Sequence, residues 1–164
     1  MKELCLARHA KSSWKFSKLD DFERPLNKRG RKDAPFMGKI IHQLGFSPDL
    51  MITSPASRAA MTARFLAFGI NYPLESIQYL ASVYESNEMD LIQLIRELDD
   101  KFKKVMLIGH NPTLTRLANS IGNLSISNIP TCGVCCVVLG ITSWSGIKSN
   151  SGELKYFEYP KKHT

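Results

Sequence analysis

The sequence predicts a three-layer α/β/α sandwich built on a mostly parallel mixed sheet, with residues 1–164 forming one domain. Three observations carry that expectation. Short apolar runs of strand length alternate with segments of helical periodicity through most of the chain, and right-handed crossovers turn that pattern into a parallel sheet covered on both faces. Three of those strands stop in polar residues that open into a helix start. The last third changes character, with two β-rich runs around a turn-rich stretch that reads as a long hairpin and makes the sheet mixed.

In chain order, Leu4-Cys5-Leu6-Ala7 forms the first strand and runs out into Arg8-His9. Residues 13–27 are polar without steady periodicity and read as a loop over a crevice. The next helix buries Met37, Ile40, Ile41 and Leu44 on one face, with Gly45 placed just past its end. Pro35 belongs in a first turn or at a kink, which leaves that helix's start open between Lys28 and Asp33. Leu50-Met51-Ile52-Thr53 is the second strand, followed by a helix over 57–68 with Ala59, Ala60, Ala63 and Leu66 inside and Gly69 as its stop. Ser86 or Asn87 caps a helix striped by Leu91, Ile92, Leu94, Ile95 and Leu98. The third strand, Val105-Met106-Leu107-Ile108, leads through Gly109-His110-Asn111-Pro112 into a helix carrying Leu114, Leu117, Ala118 and Ile121, closed by Gly122. Residues 132–141 and 153–159 make the hairpin.

Composition narrows the function classes. The chain is 43% hydrophobic and 23% charged, as globular proteins are. It has no apolar run of the ~18 residues that a membrane span needs, and its opening residues lack a signal peptide's apolar region. Cys5, Cys132, Cys135 and Cys136 fall in β-rich runs without a nearby histidine, so they read as buried strand thiols of a reducing cytoplasm. The net charge of +7 favours an acidic partner, but the charge gathers at Lys11, Lys15 and Lys18 and at residues 28–32 instead of forming a nucleic-acid patch. Lys161, Lys162 and His163 read as a solvated tail, and His42 as a structural helix residue.

Ligands of open α/β sheets bind beyond the carboxyl ends of parallel strands. If the three strands are parallel neighbours, Arg8, His9, Arg58 and His110 converge there. That set suits a dianionic phosphoryl group, with His9 free to attack phosphorus once the charge on the oxygens is neutralised. Arg58 falls in a first helical turn, whose amides and dipole add positive potential. The forked guanidinium matches phosphoryl oxygens, and His110 is a second donor whose ring Asn111 helps to fix. No metal-ligand spacing and no phosphate-binding glycine loop occur, so neither metal nor cofactor is expected. Each motif alone has a plainer reading: a surface Arg-His pair, a helix start, a simple turn. Their matched strand-loop-helix placement is what joins them.

The chain resembles the histidine phosphatase superfamily, the phosphoglycerate-mutase-like enzymes, and within it the small phosphohistidine phosphatase SixA group. The resemblance runs through residues 6–14, 24–30, 53–59, 83–85 and 108–112, nearly the whole chain. It implies that His9 becomes phosphorylated and that Arg8, Arg58 and His110 form the phosphate pocket. Ser12 matches a phosphate-contacting serine, with Lys11 and Trp14 flanking it. Glu85 falls where some members carry a proton-donating carboxylate, although it also fits an ordinary acidic residue near a helix start. Ala10 replaces the motif glycine and carries strain only if that position needs a positive φ. Lys15 stands where mutases often place asparagine. The implied substrate is phosphohistidine on a signalling or phosphotransfer protein. The alternatives are a small phosphate ester and a catalytically idle phosphoprotein-binding module.

Overall fold

In a computed structural model that describes residues 1–164, six strands form one mixed sheet. They are β1 (Lys2–Arg8), β2 (Leu50–Thr53), β3 (Gln78–Tyr79), β4 (Lys104–Gly109), β5 (Val134–Leu139) and β6 (Gly152–Glu158), in the order β3-β2-β4-β1-β5-β6. Strands β3, β2, β4 and β1 are parallel, and β5 is antiparallel to both β1 and β6. The helices are α1 (Lys28–Gln43), α2 (Ser57–Gly69), α3 (Glu88–Arg96) and α4 (Thr113–Gly122).

Side-chain alternation along each strand divides the core into two halves. From β1, Leu4 and Leu6 join Leu91, Ile95, Leu114 and Leu117 under α3 and α4, while Cys5 and Ala7 join Met37, Ile41, Ala63 and Leu66 under α1 and α2. The predicted sandwich is therefore the observed one. The chain after β1 turns to one face and the chain after β4 to the other. These two strands pair in parallel with Arg8 opposite Gly109, so the gap beyond their carboxyl ends is a topological switch point, where such sheets bind ligands.

Local structure corrects some of the sequence expectations and bears out others. Helix α1 starts at Lys28, capped by the Asn27 side chain, so Pro35 lies well inside it. The hydrogen bond lost to proline is the one to the carbonyl of Arg31, an exposed residue. Gly69 is the last residue of α2 instead of the stop just past it. A Cβ there would come within 2.7 Å of the Gly38 backbone, so the pair sets the close approach of α1 and α2, and Asn71 (φ 60°) makes the turn. Asn87 caps α3 in a capping box with Asp90. The segment between β5 and β6 is pinned by the fully buried Trp144, and His42 is exposed. All four cysteines are buried free thiols. Lys162 and His163 are not merely solvated, since both pair with Glu158. No helix is long and apolar enough to cross a membrane.

Candidate active site

A cavity of about 220 Å³ opens at the switch point, lined by Arg8, His9, Lys11, Ser12, Trp14, Arg58, His110 and Asn111, together with Arg24 and Thr131. The structure thus brings together eight of the nine residues singled out in the sequence. The ninth, Glu85, is exposed and lines a separate depression with Ser82, Asp90 and Glu97. In the turn before α3 it is the neighbouring Tyr84 whose ring packs edge-on against His110, and Glu85 points elsewhere. A larger cavity of about 500 Å³ sits beside the start of β2, but its one carboxylate, Asp49, is already taken by the amides of Lys103 and Lys104.

His9 lies just past β1 with its backbone bound to both neighbouring segments: its amide donates to Gly109 O and its carbonyl accepts from the Cys132 amide. Its Nδ1 is 2.7 Å from the Ala10 carbonyl. A carbonyl can only accept, so the ring proton is on Nδ1 and the lone pair is on Nε2. Burial lowers the ring's pKa to about 3, against the opposing pull of the Ala10 carbonyl and with help from His110, Arg58 and Arg8. At neutral pH the lone pair is therefore free. Ala10 has no positive φ, so alanine in place of the motif glycine is unstrained. Its amide donates to Thr62 Oγ1 at 2.9 Å, which donates in turn to the Arg58 carbonyl at 2.8 Å, tying the loop after β1 to the first turn of α2.

The state of His110 follows from Ser54. The Ser54 hydroxyl is fully buried, accepts from the Ala56 amide at 3.2 Å and lies 2.8 Å from His110 Nε2. Its own proton has no other acceptor, so it donates to Nε2 and leaves the proton of the neutral ring on Nδ1. Burial, then Arg58, lowers this histidine's pKa to about 4, with Asp21 opposing. Asn111 accepts from the Thr115 amide and hydroxyl and donates to the Ile129 carbonyl, fixing the segment before α4.

Three buried nitrogens here have no partner: Arg8 Nε, Arg58 Nε and His110 Nδ1. All three carry protons, and an orphaned buried donor costs about 1–3 kcal/mol. The two other unpartnered buried atoms, Glu3 Oε2 and Tyr156 Oη, lie outside the cavity lining. All three donors belong to side chains that line one small cavity, a cationic and donor-rich set that fits a multi-oxygen anion. No three His, Cys, Asp or Glu side chains gather to hold a metal.

Sequence reasoning missed the residues that support this set. The Asp21 carboxylate takes Arg58 Nη2 at 2.9 Å, Arg24 Nη2 at 3.1 Å and the Tyr84 hydroxyl at 2.7 Å. Partial burial raises its pKa, but the bonds from Tyr84, Arg58 and Arg24 outweigh that and hold it well below the usual carboxylate range. Arg24 also donates to Ser12 Oγ at 2.7 Å and stacks under Trp14, 3.6 Å from the ring centre. Gly30 lets α1 approach this loop, since a Cβ there would strike the Lys11 carbonyl at 2.2 Å. Acidic and basic residues close together in residues 18–24 were the only available signal, and nothing local tied Asp21 to an arginine 37 positions away.

Comparison with known proteins gives a consistent picture. The family model described as "Histidine phosphatase superfamily (branch 1)" matches residues 4–85. An uncharacterized chloroplastic protein of Arabidopsis thaliana is 28% identical over 159 residues, covering 92% of this chain and 72% of its own length. The candidate phosphohistidine phosphatase SixA of Agrobacterium tumefaciens superposes with a TM-score of 0.81 at 27% identity, over 97% of this chain and 98% of that one. A protein histidine phosphatase SixA complexed with tungstate gives 0.83 at 18% identity, over 99% of both chains, a likeness of fold.

Proposed function

Because the chain belongs to the histidine phosphatase superfamily, we propose that it is a metal-independent phosphatase working through a phosphohistidine at His9. The observation that carries this reading is that the three side chains with orphaned buried donors, Arg8, Arg58 and His110, all line one cavity beside an unprotonated imidazole. The His9 Nε2 lone pair forms a bond to phosphorus as the bond to the leaving atom breaks. Arg8, Arg58 and His110 Nδ1–H take the three non-bridging oxygens, and donors preset for transition-state charge are the largest source of such catalysis. Water then attacks the phosphoryl group, returning the electron pair to Nε2 and releasing phosphate. Lys11, Ser12 and Trp14 hold the substrate at the rim, and Asn111 orients His110.

The substrate we favour is phosphohistidine on a protein. No carboxyl group lines the cavity, and Asp21 beside it is ionised and cannot donate a proton. An alkoxide leaving group needs a proton donor, whereas imidazole, with a pKa of ~6.5, leaves readily near neutrality. The SixA resemblances point the same way. A small phosphate ester is the alternative substrate. The test is phosphoenzyme trapping. Wild type should yield an acid-labile, alkali-stable label that chelators do not prevent, and His9→Ala should lose both label and turnover with its fold intact. Near-normal turnover in His9→Ala, or activity that dies in chelator and returns with a divalent ion, would refute the mechanism.

A further inference from the structure

Four of the chain's eleven exposed large apolar side chains fall between residues 14 and 22: Trp14 (74% exposed), Phe16 (50%), Leu19 (37%) and Phe22 (40%). None of the four packs against either half of the core. Exposed apolar side chains forgo about 25 cal/mol per Å² of burial, and a concentration of them marks an interaction surface. This one is continuous with the cavity, because Trp14 lines both.

The segment is also held in place. Its base is closed by a β-bridge between Ser12 and Leu26, its far side is pinned by Asp21 on Arg58, and Phe22 sits edge-on to Tyr84 at 5.0 Å. Trp14, flat on the Arg24 guanidinium, is an anchor ordered before anything binds, which cuts the entropy lost on association. Aromatic and arginine side chains of this kind dominate binding energy at protein interfaces. The surface carries the exposed cations Lys15 and Lys18, with Lys11 beside it, on a chain of net charge +7; of its two acids, Asp20 and Asp21, the second is already paired with Arg24 and Arg58.

We propose that residues 14–22 are the docking surface for a phosphorylated protein whose phosphohistidine is flanked by acidic and apolar residues. This rests on the phosphatase reading and deepens it, because a free phosphorylated small molecule would fill the cavity without covering Phe16 or Lys18, neither of which lines it. Those two positions therefore separate docking from chemistry.

The experiment compares kcat/KM for free phosphohistidine with that for a panel of histidine phosphocarrier and phosphotransfer proteins charged with phosphoramidate. Wild type should prefer protein-borne phosphohistidine. Phe16→Ser and Lys18→Glu should each narrow that preference about tenfold through KM, leaving kcat and the free substrate unchanged. Phe68→Ser, which removes a 79% exposed aromatic more than two turns along α2 from Arg58, should change nothing. An unaltered preference in both loop variants, an equal loss on the free substrate, or the same effect from Phe68→Ser would overturn the docking surface while leaving the phosphatase reading standing. If wild type turns over none of these substrates, the phosphohistidine reading fails, and docking is decided by titrating the phosphorylated carriers onto His9→Ala. Tenfold weaker binding when either loop substitution is added upholds the surface, and unchanged or undetectable binding ends it.

Discussion

Strand β1 begins at Lys2 and ends at Arg8, with a cation at each end, and the surroundings treat the two in opposite ways. Lys2 is buried and fully supplied: Nζ donates to the Asp100 and Phe102 carbonyls at 2.6 and 2.9 Å and lies 5.4 Å from the Trp144 ring centre. Trp144 closes the same knot, donating from Nε1 to Phe102 O at 2.8 Å and from its amide to Asp100 Oδ1 at 2.8 Å. At the other end, Arg8 keeps one bond, to Ile129 O at 3.0 Å, while its Nε has none. The contrast separates polar groups spent on holding the fold from those kept open for a ligand. Near Lys2 the sequence satisfies its donors. Beyond Arg8 it leaves three of them unmatched and accepts the cost to stability.

The largest effects should appear at the open end. Arg58→Ala or His110→Ala should each cost ~10²–10³ in kcat, the usual loss for one preset donor to a developing anion, with the folded state retained in a thermal melt. Wild-type kinetics in either would show that the orphaned donors are not held for a reacting group. Lys2→Met inverts the pattern. Hydrogen bonds to a charged group contribute about 1.5–3 kcal/mol, so denaturant unfolding should register a loss of that order while kcat stays unchanged.

Acidity probes the same end. His9 and His110 titrate near 3 and 4 in the folded protein, below the ordinary 6.5. As pH falls, the unfolded chain binds these protons first, so stability from the pair is full above about 6.5 and declines toward about 4 and then 3. The acid limb of kcat/KM, which reports the free enzyme, should lie well below 6.5. A limb at 6.5 would mean that His9 is hydrated. The smallest effect belongs to Glu85→Gln, which should leave both phosphohistidine and ester hydrolysis unchanged, since Glu85 lies in another depression. Selective loss on esters would reinstate it as a proton donor.

What was legible in the sequence follows from how far each signal reaches. Strands β1, β2 and β4 are continuous apolar runs, so their ends, and with them Arg8, His9 and His110, could be placed from local pattern alone. The two-residue β3 is too short to leave a period. Pro35 suggested a helix start because the rule concerns one hydrogen bond, and the tolerance comes from where that carbonyl lies. Asp21, Ser54 and Tyr84 owe their roles to partners 37 to 63 residues away, which no window contains. Tyr84 and Glu85 show the limit most sharply: of two neighbours in a turn, Tyr84 packs on His110 and Glu85 lines another depression.

The stitching of His9 has a kinetic consequence. Its amide, its carbonyl and its ring Nδ1 are all bound within the protein, so few torsions remain for the attacking nitrogen to explore. The freedom that a mobile nucleophile would lose at each encounter has already been lost once, when the chain folded. Reactant positioning of this sort accounts for effective concentrations of ~10⁵–10⁸ M in well-oriented systems. A substitution that loosened the backbone around Cys132 or Gly109 would therefore slow every turnover without removing a single group that touches the phosphoryl oxygens.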